Sequence, residues 1–311
     1  MKFAALLPLV FAGCGASLPL ADPLVQNATA RVVARGAKVE TLATGFRFVE
    51  GPVWNPRGFW VFSDIPANTL FKISPTGKTE IIRKPTGHTN GNAYDAQGRL
   101  VSCEHERRVS RKSERGTFDT LADRYEGKRL NSPNDLAIRS DGSIYFTDPT
   151  YGTPKNQLEL DFRGLYRLFP DGRLQLLDKE WIQPNGIAFS PDERTLYVND
   201  SQENTIFRFD VDKNGALSNK TLLATLPKPG SPDGMKTDAA GRLYVAGPGG
   251  IWIFAARGAL LGKIPTPKNP ANLAFGGADG KTLFITARDS VYTVRLSSGG
   301  AGSNRAAKEL R

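Results

Sequence analysis

The chain has 311 residues, 40% of them hydrophobic, which is enough for a sizeable core, and its 32 glycines and 21 prolines sit in short clusters between apolar runs. That pattern suits many strands joined by turns and excludes a disordered or collagen-like chain. A balance of 41 Lys and Arg against 31 Asp and Glu leaves a net charge of +10. Such a charge draws polyanions, but no nucleic-acid-binding motif surrounds the densest basic run, Arg107–Lys112, so no nucleic-acid partner is expected.

In chain order, Met1-Lys2 and the short apolar run Phe3–Ala12 have the shape of an export signal. Residues 1–21 are read as that signal with a short linker, and the protein is expected outside the cytoplasm, periplasmic or membrane-anchored. Phe11-Ala12-Gly13-Cys14 resembles a bacterial lipoprotein cleavage box, in which a lipid on Cys14 would attach the chain to the membrane; an ordinary signal cleaved a few residues later is the alternative. Cys14 and Cys103 are the only cysteines, so with Cys14 lipidated or removed no internal disulfide is available. Cys103 reads as a buried strand residue.

Six short strands of one kind follow, roughly forty to fifty residues apart: Trp60–Asp64, Leu100–Glu104, Ile144–Asp148, Leu196–Asp200, Leu243–Gly247 and Leu283–Ala287. Each is preceded by an Asp-, Asn- or Gly-bearing turn, as in Asn55–Gly58 and Asp238–Gly241, and each is followed by a third strand such as Thr69–Ile73. β-Branched and aromatic residues dominate and a helical period is almost absent, so the spacing predicts an all-β, six-bladed β-propeller over residues 38–296. The sixth blade lacks a fourth strand of its own, because Ser297–Ser303 begins what composition reads as a flexible tail over 297–311. Lys38–Ala43 is a strand without a blade. Pairing the two closes the ring and hides two sheet edges.

The first strand of every blade lines the axis of a propeller, so equivalent residues meet in one ring. Counting back from each second strand by the same interval, lengthened by one residue in blades four and six, selects Glu50, Asn90, Asn134, Asn185, Asp233 and Asn272. All six carry side-chain oxygens. Such a ring suits one hard divalent cation, calcium above all, with magnesium or zinc as alternatives, although zinc prefers the His and Cys that the ring lacks. A water-filled polar channel whose Asn residues cap strand starts is the competing reading.

Glu50-Gly-Pro-Val-Trp, Phe62-Ser-Asp-Ile-Pro, Cys103-Glu-His, Asn131-Ser-Pro-Asn-Asp to Phe146-Thr-Asp-Pro, Pro184-Asn-Gly-Ile-Ala-Phe-Ser, Pro232-Asp-Gly-Met and Ala271-Asn-Leu-Ala-Phe-Gly-Gly occur in that order. With them the chain resembles the gluconolactonase family, the calcium-dependent six-bladed propellers that include regucalcin. The resemblance implies metal ligation by Glu50, Asn134, Asn185 and Asp233, with Asp233 also the general base. Animal members carry an Arg where this chain has Ser132, so their substrate recognition does not transfer.

The activity implied is hydrolysis of a sugar lactone, with a metal polarising the carbonyl and Asp233 activating water. His105 is a candidate catalytic assistant or a structural strand histidine. Asn90, Asn131, Asp148, Tyr151 and Asn272 are candidate substrate-binding residues, Asp148 being alternatively a turn residue before Pro149, and His88 borders the pocket or a loop. The absence of a Gly-x-Ser-x-Gly elbow disfavours serine-hydrolase chemistry. The alternatives are the same metal site acting on another ester or sugar derivative, and a non-enzymatic propeller binding carbohydrate or a protein.

Overall fold

The computed structural model describes residues 32–301. The leader, Cys14 and residues 302–311 lie outside the described residues.

Six four-stranded antiparallel sheets surround one axis. Blade one is Val49–Asn55, Phe59–Asp64, Thr69–Ile73 and Thr79–Arg83; blade two is Thr89–Tyr94, Leu100–Glu104, Arg108–Lys112 and Phe118–Ala122. Blade three is Leu136–Ile138, Ile144–Asp148, Gly164–Leu168 and Leu174–Asp178; blade four is Pro184–Phe189, Thr195–Asp200, Thr205–Val211 and Leu217–Thr225. Blade five is Met235–Thr237, Leu243–Gly247, Gly250–Phe254 and Leu260–Pro265. Asn272–Gly276, Thr282–Ala287 and Ser290–Arg295 make three strands of blade six, and the fourth is Glu40–Thr44, antiparallel to Ser290–Arg295 with Glu40 opposite Thr293. The expected closure is therefore present.

Second strands read most clearly in the sequence because they are buried on both faces: every residue of Leu100–Glu104, Ile144–Asp148 and Leu243–Gly247 is buried. Their large side chains fill the wedges between blades. Trp60 of blade one stacks on Phe284 of blade six with centroids 5.1 Å apart, and Tyr145 of blade three meets the edge of Phe189 of blade four at 4.9 Å. Cys103 is buried and unpaired, and burial pushes its thiol up.

Two segments differ from the sequence reading. The body begins earlier than residue 38, since Val32 is buried and Val33 bridges Leu296. At the other end, residues 297–301, assigned by composition to a flexible tail, are bonded to the body: Ala239 N–H donates to Gly299 O, Ala301 N–H donates to Thr237 O, and Asp238 bridges Gly300. A small hairpin, Arg124–Tyr125 with Lys128–Arg129, between blades two and three was not foreseen.

The basic run does not form a free cationic patch. Arg107 is 7% exposed and donates to the carbonyls of Leu130, Gln157 and Arg129, while Arg108 pairs with the buried Glu104 and Arg111 lies 3.9 Å from Asp95.

Candidate active site at the channel mouth

The ring residues sit where the inner strands start. Glu50, Asn90, Asn185 and Asn272 lie in the first two residues of their strands, while Asn134 and Asp233 stand two residues ahead of theirs. A Gly follows the ring position in four blades, as Gly51, Gly91, Gly186 and Gly234. These glycines let neighbouring blades approach: a Cβ on Gly186 would overlap the Asp233 carbonyl oxygen, and one on Gly234 the Asn272 side chain. The seats of Asn90, Asn134, Asp233 and Asn272 are thus cut by the neighbouring blade's lack of a side chain.

Five ring residues are buried and Asp233 keeps partial exposure. Asn272 Nδ2 donates to Glu50 Oε2 at 2.9 Å and lies 3.5 Å from Asp135 Oδ2. Burial, then Asp233, then Asp135, push the Glu50 carboxyl well above the usual range. Burial and Asp135 raise Asp233 too, opposed by a hydrogen bond from Asn185. Three carboxylates therefore crowd the mouth, answered by Lys236, 3.7 Å from Asp135, and by Arg288, whose charge acts on Asp233. The Asn90 Oδ1 atom is buried without a hydrogen-bond partner. Excess negative charge is what a hard oxygen-liganded cation relieves, so Glu50, Asn134, Asn185 and Asp233 fit such an ion, with the unpartnered Asn90 oxygen beside them. Among the described residues no three His, Cys, Asp or Glu side chains cluster as ligands, so the donor set must draw on the asparagine amides.

Tyr151 reaches the ring residue Asn185 through Ser201. It is 48% exposed, its hydroxyl is 2.7 Å from Ser201 Oγ, which also accepts from Asn185 Nδ2, and burial of the phenol end pushes it up to about 12. Asn90 and Asn272 are in the ring. Asn131 and Asp148 are not exposed to the pocket: both are 0% exposed, and the Asp148 oxygens accept from the backbone N–H groups of Asn131 and Ser132. Asn131 Nδ2 is occupied by the Asp148 and Phe162 carbonyls. They build the wall from behind and do not face a substrate. His105 Nε2 lies 3.2 Å from Asn90 Nδ2, within hydrogen-bond reach of the amide. Burial and His88 lower His105 to about 4, so it holds Asn90 as a neutral partner. His88 turns instead to Glu106, at 3.2 Å.

Asp135 was missed by sequence reasoning. Its signal was available: it occupies the place after the ring residue where four other blades have Gly.

A family model described as the SMP-30/gluconolactonase/LRE-like region matches residues 48–289. The chain belongs to this family. A gluconolactonase of Zymomonas mobilis is 37% identical over 292 residues, covering 84% of this chain and 82% of that one. A pentonolactonase of Haloferax volcanii is 29% identical, covering 78% and 82% of the two chains. The solved structure of a gluconolactonase from Xanthomonas campestris superposes with a TM-score of 0.80 at 39% identity, over 86% of this chain and 92% of that one.

Proposed function

We propose that this member of the family is a sugar-lactone hydrolase whose ring residues Glu50, Asn134, Asn185 and Asp233 hold one divalent cation, calcium first. The observation that carries the reading is the crowding of Glu50, Asp233 and Asp135 at one end of the channel beside the orphaned Asn90 oxygen, in a chain related throughout its propeller to lactonases. When bound, the cation supplies Lewis-acid polarisation of the lactone carbonyl.

The chain's own residues supply the rest. Asp233, partly open to solvent, accepts a proton from water as the water oxygen bonds to the carbonyl carbon. The ester C–O bond then breaks, and the alkoxide takes the proton back from Asp233, leaving an open-chain hydroxy acid. Raised proton affinity suits Asp233 to this exchange near neutral pH, and a bound cation opposes the rise. Asn90 and Tyr151 offer polar atoms to the substrate's hydroxyl groups, and His105 holds Asn90 in its rotamer.

Hydrolysis of D-glucono-1,5-lactone and of pentonolactones, followed by proton release, tests the reading. Turnover of any of these supports it; activity confined to aryl esters moves the protein to the alternative substrate class, and binding without turnover to the non-enzymatic one. Export, with a lipid on Cys14, belongs to the same proposal, and the mass of the mature N-terminal peptide tests it.

A further inference from the structure

Resting on the ring reading above, we infer that Asp64, Asp148 and Asp200 are positioning residues that fix the backbone presenting Glu50, Asn134 and Asn185, and leave Asp233 as the one unclamped ligand of the four. Each of the three stands at the end of a second strand, 2%, 0% and 3% exposed. Each spreads its two carboxylate oxygens over two consecutive backbone N–H groups, those of the third and second residues before the ring position. Asp64 accepts from Arg47 at 2.9 Å and Phe48 at 3.2 Å. Asp148 accepts from Asn131 at 2.8 Å and Ser132 at 2.7 Å. Asp200 Oδ2 accepts from Ile182 at 2.7 Å, and the Gln183 N–H is shared between Oδ1 at 3.2 Å and Oδ2 at 3.1 Å.

The device is absent from the other three blades. Blade two has Glu104 at the matching place, but its oxygens go to Arg83, Arg108 and Ser110, and the His88 N–H is held by Asn68 from blade one at 2.9 Å. Blade five has Gly247 there, and blade six has Thr286 and Ala287 facing a lead-in that contains Pro270, which has no N–H to give. The clamp thus falls on the three proposed ligands other than Asp233. Two donors converging on one carboxylate fix both position and direction of the peptide planes, and with them the Cα–Cβ vectors two residues later. Glu50, Asn134 and Asn185 thereby become a rigid half-cage. Asp233, whose lead-in lacks a carboxylate clamp, is held at its own peptide instead, its N–H donating to Ala246 O at 2.9 Å and its carbonyl accepting from Asn199 Nδ2 at 2.6 Å, while its side chain stays partly open to solvent.

The test replaces each clamp by its isostere, Asp64→Asn, Asp148→Asn and Asp200→Asn, where one oxygen becomes an amide that cannot accept from the backbone. Asp238→Asn is the control. Asp238 is equally buried and accepts from Ala240 N, Arg242 N and Arg242 Nε, but at the turn on the far end of the blade-five strand. Calcium affinity is measured by competition with a fluorescent chelator, well below each variant's Tm, and D-glucono-1,5-lactone kinetics are run at limiting and saturating calcium. The clamp variants are expected to bind calcium about tenfold or more weakly and to recover kcat at saturating calcium, while Asp238→Asn binds within about twofold of wild type. Clamp variants that fold yet bind like wild type, or a control that loses as much, overturn the inference. Where an Asn variant does not fold, the Asp→Glu variant, which keeps charge and acceptors but displaces them by a methylene, is read the same way. If the wild type binds no divalent ion, the metal reading fails, and the clamp is judged by hydrogen exchange: faster exchange confined to the lead-in of the substituted blade supports it, and loosening spread over all six overturns it.

Discussion

Asp233 and His105 respond to protonation in opposite ways, and both responses are measurable. Asp233→Asn removes the only proposed proton acceptor, so kcat should fall by about a hundredfold or more. The same change relieves repulsion with Glu50 and Asp135, so Tm in the absence of metal should hold or rise. His105 has its folded value depressed to about 4 by burial. A depressed base is favoured neutral in the fold, so its contribution is present above the unfolded value near 6.5 and is lost as pH falls toward 4, by at most about 3 kcal/mol. Urea unfolding of wild type should weaken over that window, and His105→Gln, which cannot titrate, should flatten it. An unchanged slope would count against the buried neutral histidine. At this scale the ring was legible because only oxygen-bearing side chains stand at a position that recurs six times. Asp148 and Asn131 were misplaced because a carboxylate beside a site and one holding the backbone behind it look alike in sequence. Only the hydrogen bonds to Asn131 and Ser132 N–H separate them.

Among the elements, the strand that matters most to the ring's integrity comes from outside the repeat. Glu40–Thr44 completes blade six, and Leu42 and Ala43 pack on the cluster around Trp60 and Phe284. Deleting residues 1–44 removes the four pairings of Glu40–Thr44, the Val33–Leu296 bridge and buried Val32, and exposes the edge of Ser290–Arg295, which should cost on the order of 4 kcal/mol or more, or at least roughly 10 °C in Tm, with increased aggregation. Differential scanning calorimetry and light scattering check it; an unaltered Tm would mean that the closure is ornamental. The glycine seats make a second prediction. Gly186→Ala drives a methyl into the Asp233 carbonyl and should cost about 3 kcal/mol while disturbing Asp233 and Asn185 together, read as a joint loss of Tm and activity. Second strands could be recognised from sequence because each opens on aliphatic or aromatic residues buried on both faces, in a pattern that recurs every forty to fifty residues. The first strands of blades three and five, three residues each, could be placed only by counting.

For the molecule as a whole, the formal charge of +10 is not gathered into a free patch at the basic run Arg107–Lys112. Arg107 and Arg108 are spent on carbonyls and Glu104, and Arg167 and Arg242 on Asp141 and Asp238. Retention on duplex DNA or RNA should therefore vanish at about 0.15 M salt, where a true phosphate-reading surface would persist. What the fold concentrates is the reverse charge, at one mouth of the channel, with Lys236 its near counter-ion. The proposed activity requires that this mouth hold a cation for lactone opening. Purified protein is stripped with chelator, assayed on D-glucono-1,5-lactone, and assayed again after calcium is restored. Loss of activity on stripping and its return with calcium, in wild type but not in Asp233→Asn, is the predicted result; full activity in the stripped protein would contradict it.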